Sequence, residues 1–107
     1  MNDSTIPTEF DKYGQHFTQT RRVGNVVQYL RAKVNGEPVG CEVMVIRMRK
    51  ESVLHGKVMA GGESLPSPSQ WGTFGWSYLK GEEDKADQRF AICCKQFNMR
   101  RIVRRVA

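Results

Sequence analysis

The chain has 107 residues, 39% of them hydrophobic and 26% charged, which fits one globular domain and excludes a chain disordered throughout. A chain this short buries only about two-thirds of its unfolded surface, leaving little depth for a substrate cleft, so the composition favours a binding module over a cofactor enzyme. The net charge of +6 is unevenly held: residues 1–94 carry 12 basic and 11 acidic side chains, whereas residues 95–107 carry Lys95, Arg100, Arg101, Arg104 and Arg105 and no acid.

No stretch reaches the roughly 18 apolar residues of a membrane span, and the first residues lack a basic and then hydrophobic leader pattern. A cytoplasmic location is expected, that of the host cell if the chain is phage-encoded. Cys41, Cys93 and Cys94 form an odd set without C-x-x-C or Cys/His spacing, so neither a disulfide framework, a metal site nor a cofactor is expected.

Residues 1–9 are polar, include Pro7 and read as a flexible tail. Phe10, Tyr13 and Phe17 recur at spacings of three and four, which predicts a turn of helix, although Gly14 opposes it. Residues 26–50 hold the clearest local signal, two β-branched runs on either side of Asn35-Gly36, and predict a β-hairpin. Its alternation puts Val26, Leu30, Ala32 and Val34 on one face with Val39, Cys41, Val43 and Val45. Tyr29, Arg31 and Lys33 then share the other with Glu42, Met44, Ile46 and Met48. The run from Val43 to Ile46 is apolar on both faces, so this strand should be central and covered twice, once by a helix.

A short third strand is expected near Val53-Leu54 or Lys57-Val58-Met59, then a Gly-, Pro- and Ser-rich loop over residues 60–70. Residues 71–79 read as an aromatic strand, with Gly72 and Gly75 marking a bulge or rings packed across backbone. Glu82, Glu83 and Asp84 favour the positive end of a helix. Ala86, Phe90, Cys93, Cys94 and Phe97 recur on one face of it. Continued in register, that face would carry Arg101 and Arg104, so a break is expected near Asn98. Residues 99–107 then form either a helix or an edge strand. Met99, Ile102, Val103 and Val106 need cover there, from the sheet or from a second copy in a homo-oligomer.

The expected fold is α+β: a small antiparallel sheet of three to four strands built on the central hairpin and covered by one main C-terminal helix. The expected divisions are the tail at 1–9, a single domain at 10–97 and a basic arm at 98–107.

The order of an E-V-x-x-I-R strand at residues 42–47, a P-S-x-x-x-W-G-x-x-G-W segment at 66–76 and the helical step from Ala86 to Phe90 resembles small proteins of phages and mobile elements. That resemblance brings no assigned activity. Trp71-Gly72 followed by Gly75 is also similar to the start of the WGR domain motif, which implies by analogy a small sheet with a helix. Thr73 stands where that motif has its arginine, so no phosphate-binding residue carries over.

His16 and His55 lie in no nucleophile, ligand or general-base pattern, and no catalytic residue is assigned. The leading expectation is a non-enzymatic module that contacts nucleic acid, of unknown type, with little sequence specificity. Guanidinium groups stay charged and fork onto phosphate oxygens, which suits Arg100, Arg101, Arg104 and Arg105, assisted by Arg47, Arg49 and Lys50 if these lie on the same side. The alternative is a small phage or mobile-element protein that inhibits a host protein, such as a nucleic-acid-handling defence factor. It would use Trp71, Phe74, Trp76 and Tyr78 as anchors and its basic surface against acidic groups.

Overall fold

The computed structural model describes residues 5–59 and 61–106, the side chains of residues 54, 59 and 99–106 excepted. Strands β1 (Glu9–Lys12), β2 (Gln15–Val23), β3 (Val26–Lys33), β4 (Pro38–Val45) and β9 (Gly75–Leu79) form one antiparallel sheet in the order β1-β2-β3-β4-β9. Helix α1 (Glu83–Val106) packs on one face of it. The fold is therefore α+β with one main helix, and the sheet is slightly larger than expected. Between β4 and β9 the chain makes β5 (Arg47–Arg49), β6 (Ser52–Leu54), β7 (Lys57–Met59) and β8 (Gly62–Ser64), in which, among the described residues, β5 pairs only with β8 and β6 only with β7.

The β3–β4 hairpin explains the rest. Val26 faces Val45, Gln28 faces Val43 and Leu30 faces Cys41, so the odd residues of β4 lie under the helix with Ala86, Phe90 and Cys93. Val27, Tyr29, Met44 and Ile46 point to the opposite face, where Ile6 and Phe17 join them, with Phe10 and Leu65 packed alongside. Every residue from Gly40 to Ile46 is buried, as expected for a strand covered twice. A bulge between Arg31 and Ala32 interrupts the alternation, and the connection is a four-residue loop in which only Gly36 has positive φ. Val34 lies in that loop, 86% exposed, rather than on the helix-side face.

The helical turn expected at Phe10, Tyr13 and Phe17 is instead the β1–β2 hairpin. Residues 10 and 17 are two helical turns apart and are also symmetric about a turn at 13 and 14, so their spacing fits both structures. Tyr13 and Gly14 have φ of 54° and 72°, the geometry of a tight hairpin turn, and this aligns Phe10 with Phe17 so that their rings stack at 4.7 Å. Residues 5–9 do not form the expected tail. Ile6 is buried, Thr8 O accepts from Gln19 N, and the Pro7 carbonyl accepts from the Tyr29 hydroxyl at 2.5 Å. Burial pushes the Tyr29 phenol up to about 12.

The break expected near Asn98 does not occur, since α1 continues unbroken to Val106. Asn98 marks the place where the helix is pinned to the sheet end. Its Nδ2 donates to Val23 O at 2.9 Å and its Oδ1 accepts from Asn25 N at 3.2 Å. Gly24 between them has positive φ, and a Cβ there would collide with the Asn98 amide. Asn98→Ala should lower stability by about 1–2 kcal/mol, with Asn98→Asp falling between it and the native chain, as read from urea midpoints.

In β1–β2, Asp11 faces His16 and accepts from its Nδ1 at 2.7 Å, while Glu9 lies 3.6 Å from Nε2. The hydrogen bond to Asp11 raises the imidazole above its usual 6.5. This contribution to stability is fully present below the unfolded pKa and is lost as pH rises through the higher folded value. Ring proton titration by NMR should give a pKa above 6.5 that falls back in Asp11→Asn.

Candidate nucleic-acid interface

The Val45 end of the sheet gathers the two segments that carry the expected phosphate-binding residues. Ile46 N donates to Asn25 O at 2.6 Å and Val45 N to Phe74 O at 2.8 Å, which ties the start of the β5–β8 excursion to the β2–β3 turn and to the residues before β9. Arg47 lays its guanidinium 3.9 Å over the Phe74 ring, and that ring lies 5.9 Å from Phe97 on α1. One residue later Asn98 grips the β2–β3 turn. On the other side, Arg22 forks onto both carboxylate oxygens of Glu63, which also accepts from Ile6 N. That ion pair holds the Glu63 carboxyl below its usual range and fastens β8 to β2.

From this root two basic segments leave. Residues 47–59 carry Arg47, Arg49, Lys50 and Lys57 against Glu51 alone, and residues 95–107 carry five basic groups and no acid, so the remaining residues are net acidic. Arg49, Lys50 and Lys57 are exposed and, among the described residues, make no ion pair. Elsewhere Arg21 pairs with Asp87, Lys33 with Glu37 and Lys85 with Glu82, while Lys12 and Lys80, at the opposite end of the sheet, are exposed without an ion pair among the described residues. Arg47 differs from its neighbours: it is half-buried, and its Nη1 is buried without a hydrogen-bond partner, so it acts at the root of the excursion. Arg100, Arg101, Arg104 and Arg105 follow on the last turns of α1, and their side chains lie outside the described residues, as do those of Met99, Ile102, Val103 and Val106.

The four aromatics divide. Phe74, Trp76 and Tyr78 pack against the helix-side core, with the Arg89 guanidinium 4.7 Å over the Trp76 ring. Trp71 lies before the strand, which begins only at Gly75, and remains 39% exposed. Its indole covers Gly75, where a Cβ would overlap the ring, so the glycine beside tryptophan does mark a ring packed across backbone. Beyond it lies a groove of about 150 Å³ lined by Phe10, Tyr13, Met44, Leu65, Pro66 and Trp71.

The excursion itself was not legible as one unit. The expected third strand is a pair, β6 and β7, turning at His55 and Gly56 with φ of 52° and 78°. The expected loop at 60–70 contains β8. The turn dipeptide His55-Gly56 between two valines was the available signal, and Lys57 the basic residue it would have added.

Cys93 is fully buried, Cys41 is buried and Cys94 packs beside them, and burial pushes all three thiols up, away from nucleophilic character. Among the described residues no three His, Cys, Asp or Glu side chains gather in a way that could hold a metal ion, and no helix is long and apolar enough to cross a membrane. Comparison with family models, with curated proteins and with solved structures gives no match.

Gly75→Ala should displace the Trp71 indole at a cost of about 1–3 kcal/mol. In a Trp76→Phe background, which isolates Trp71, the fluorescence should shift to the red with the fold retained by circular dichroism.

Proposed function

We propose that the protein is a non-enzymatic nucleic-acid-binding module that grips the phosphate backbone with little sequence specificity. The observation that supports this reading best is the common root of two basic segments. The β5–β8 excursion and the end of α1 leave the sheet beside the same Arg47, Phe74 and Phe97 contact. A cationic surface made of unpaired groups releases counterions from a polyanion, whereas cations already paired within the fold contribute little. Arg49, Lys50 and Lys57 are of the unpaired kind, and Arg100, Arg101, Arg104 and Arg105 have no acid near them in sequence. No base-reading motif accompanies them, so the contacts are expected to position rather than specify.

The second reading, an inhibitor of a host protein encoded by a phage or mobile element, draws support from Trp71, half exposed beside the apolar groove. Phe74, Trp76 and Tyr78 add little to it, because they are partly buried against the helix-side core.

Changing Arg100, Arg101, Arg104 and Arg105 together to Gln should reduce the slope of log affinity against log salt on duplex DNA by roughly three units, at about 0.9 per lost phosphate contact. Trp71→Ala should leave that slope unchanged. Absence of nucleic-acid binding at low salt, together with nuclease-resistant capture of a specific host protein lost in Trp71→Ala, would favour the inhibitor.

A further inference from the structure

We infer that the β5–β8 excursion is an arm that enters the major groove of B-form duplex DNA, an inference that rests on the nucleic-acid reading above. The arm is a ribbon of two successive ladders, Arg47–Arg49 with Gly62–Ser64 and Ser52–Leu54 with Lys57–Met59, and neither ladder pairs with the main sheet. Among the described residues the ribbon has no third strand, and none of its side chains joins either buried cluster. Val53 and Val58 face each other across the outer ladder while 70% and 62% exposed, and Met48 on the inner one is 63% exposed. Apolar pairs left in water on a projecting element, flanked by Arg49, Lys50 and Lys57, match a partner that is anionic at its rim and has apolar groups within.

The B-DNA major groove has that character. It is about 12 Å wide and about 8.5 Å deep, admits a two-stranded β-ribbon, and presents thymine methyl groups between flanking phosphates. The outer ladder has three residues on each strand, about 10 Å at strand rise, which reaches the floor of that groove. The close approach of Gly61 to the backbone at Lys50 and Glu51, where a Cβ would collide, separates the outer ladder from the inner one. Meanwhile the root is held by the Arg22–Glu63 pair and by the stacking of Arg47 on Phe74.

Other nucleic acids fit less well. The major groove of A-form RNA is too narrow and deep for side chains to read. Single strands are held by stacking bases on exposed aromatics, whereas residues 47–64 include no Phe, Tyr or Trp; Phe74, Trp76 and Tyr78 are partly buried against the core, and the exposed Tyr13 and Trp71 belong to the groove beside Leu65 and not to the arm.

The test uses the full chain with a short DNA duplex, an RNA duplex and a DNA single strand of one sequence. The DNA duplex should bind about tenfold or more tightly than either alternative, the scale of one groove contact, and dimethyl sulfate should show guanine N7 protected in the major groove. Arg49→Gln, Lys50→Gln and Lys57→Gln combined should lose the N7 protection and the preference for DNA duplex. Lys12→Gln, Lys33→Gln and Lys80→Gln remove the same charge from the opposite end of the sheet and should lose neither. Circular dichroism confirms that both variants are folded. Equal binding of the three nucleic acids, or N7 protection that survives in the arm variant, overturns the arm assignment and leaves the phosphate-gripping reading intact. No binding to any of them overturns both.

Discussion

The burial of β4 on both faces is the constraint from which the architecture follows. Val43, Val45 and Cys41 need cover on one side, Met44 and Ile46 on the other, and each such side chain left in water forgoes about 1.5–3 kcal/mol. Helix α1 supplies the first cover through Ala86, Phe90 and Cys93. The second is assembled from separate pieces, Ile6 from the N-terminal segment, Phe10 and Phe17 from the first hairpin, and Leu65 from the connection after β8. Glu42 is the polar exception on β4, and it accepts from the Ser77 hydroxyl on the neighbouring strand at 2.8 Å.

The patchwork cover has a consequence for the ends of the sheet. At the Val45 end the chain has to leave β4, and it does so through a ribbon rather than a tight turn. Arginine stacking on aromatic faces does much of the fastening: Arg47 on Phe74, Arg21 on Phe90 and Arg89 on Trp76. A guanidinium serves here because its planar face is weakly hydrated and packs on a ring while its edges still reach water or a carboxylate. The same residue type therefore has two uses in this chain, as a rivet when it lies on a ring and as a free cation on the projecting elements.

That distinction divides the basic residues in a way composition conceals. Arg21, Arg22, Lys33 and Lys85 are neutralised by carboxylates within the fold. Arg49, Lys50 and Lys57 are not, and they lie on an element none of whose described side chains joins either buried cluster. The proposed interface is thus formed by the residues that the fold leaves over, which is where a binding surface adds least strain to the scaffold.

Local pattern determined much of the scaffold. Alternation within residues 26–46, the Asn35-Gly36 turn and the helical stripe from Ala86 to Phe97 each depend on neighbours a few residues apart, and the fold class and the double cover of β4 were legible from them. Where two structures share a spacing, sequence was ambiguous: Phe10 and Phe17 satisfy a helix and a hairpin equally, and packing against Tyr29 decides for the hairpin. The course of α1 past Asn98 was hidden too, because a side-chain amide can pin a helix to a turn 73 residues away without any local trace. The concentration of positive charge after residue 94 could be read from the chain alone. That the last turns of α1 follow from the same end of the sheet as the ribbon carrying Arg49, Lys50 and Lys57 was decided only by tertiary structure, since the meeting runs through one stacked guanidinium and one ring contact between segments distant in sequence.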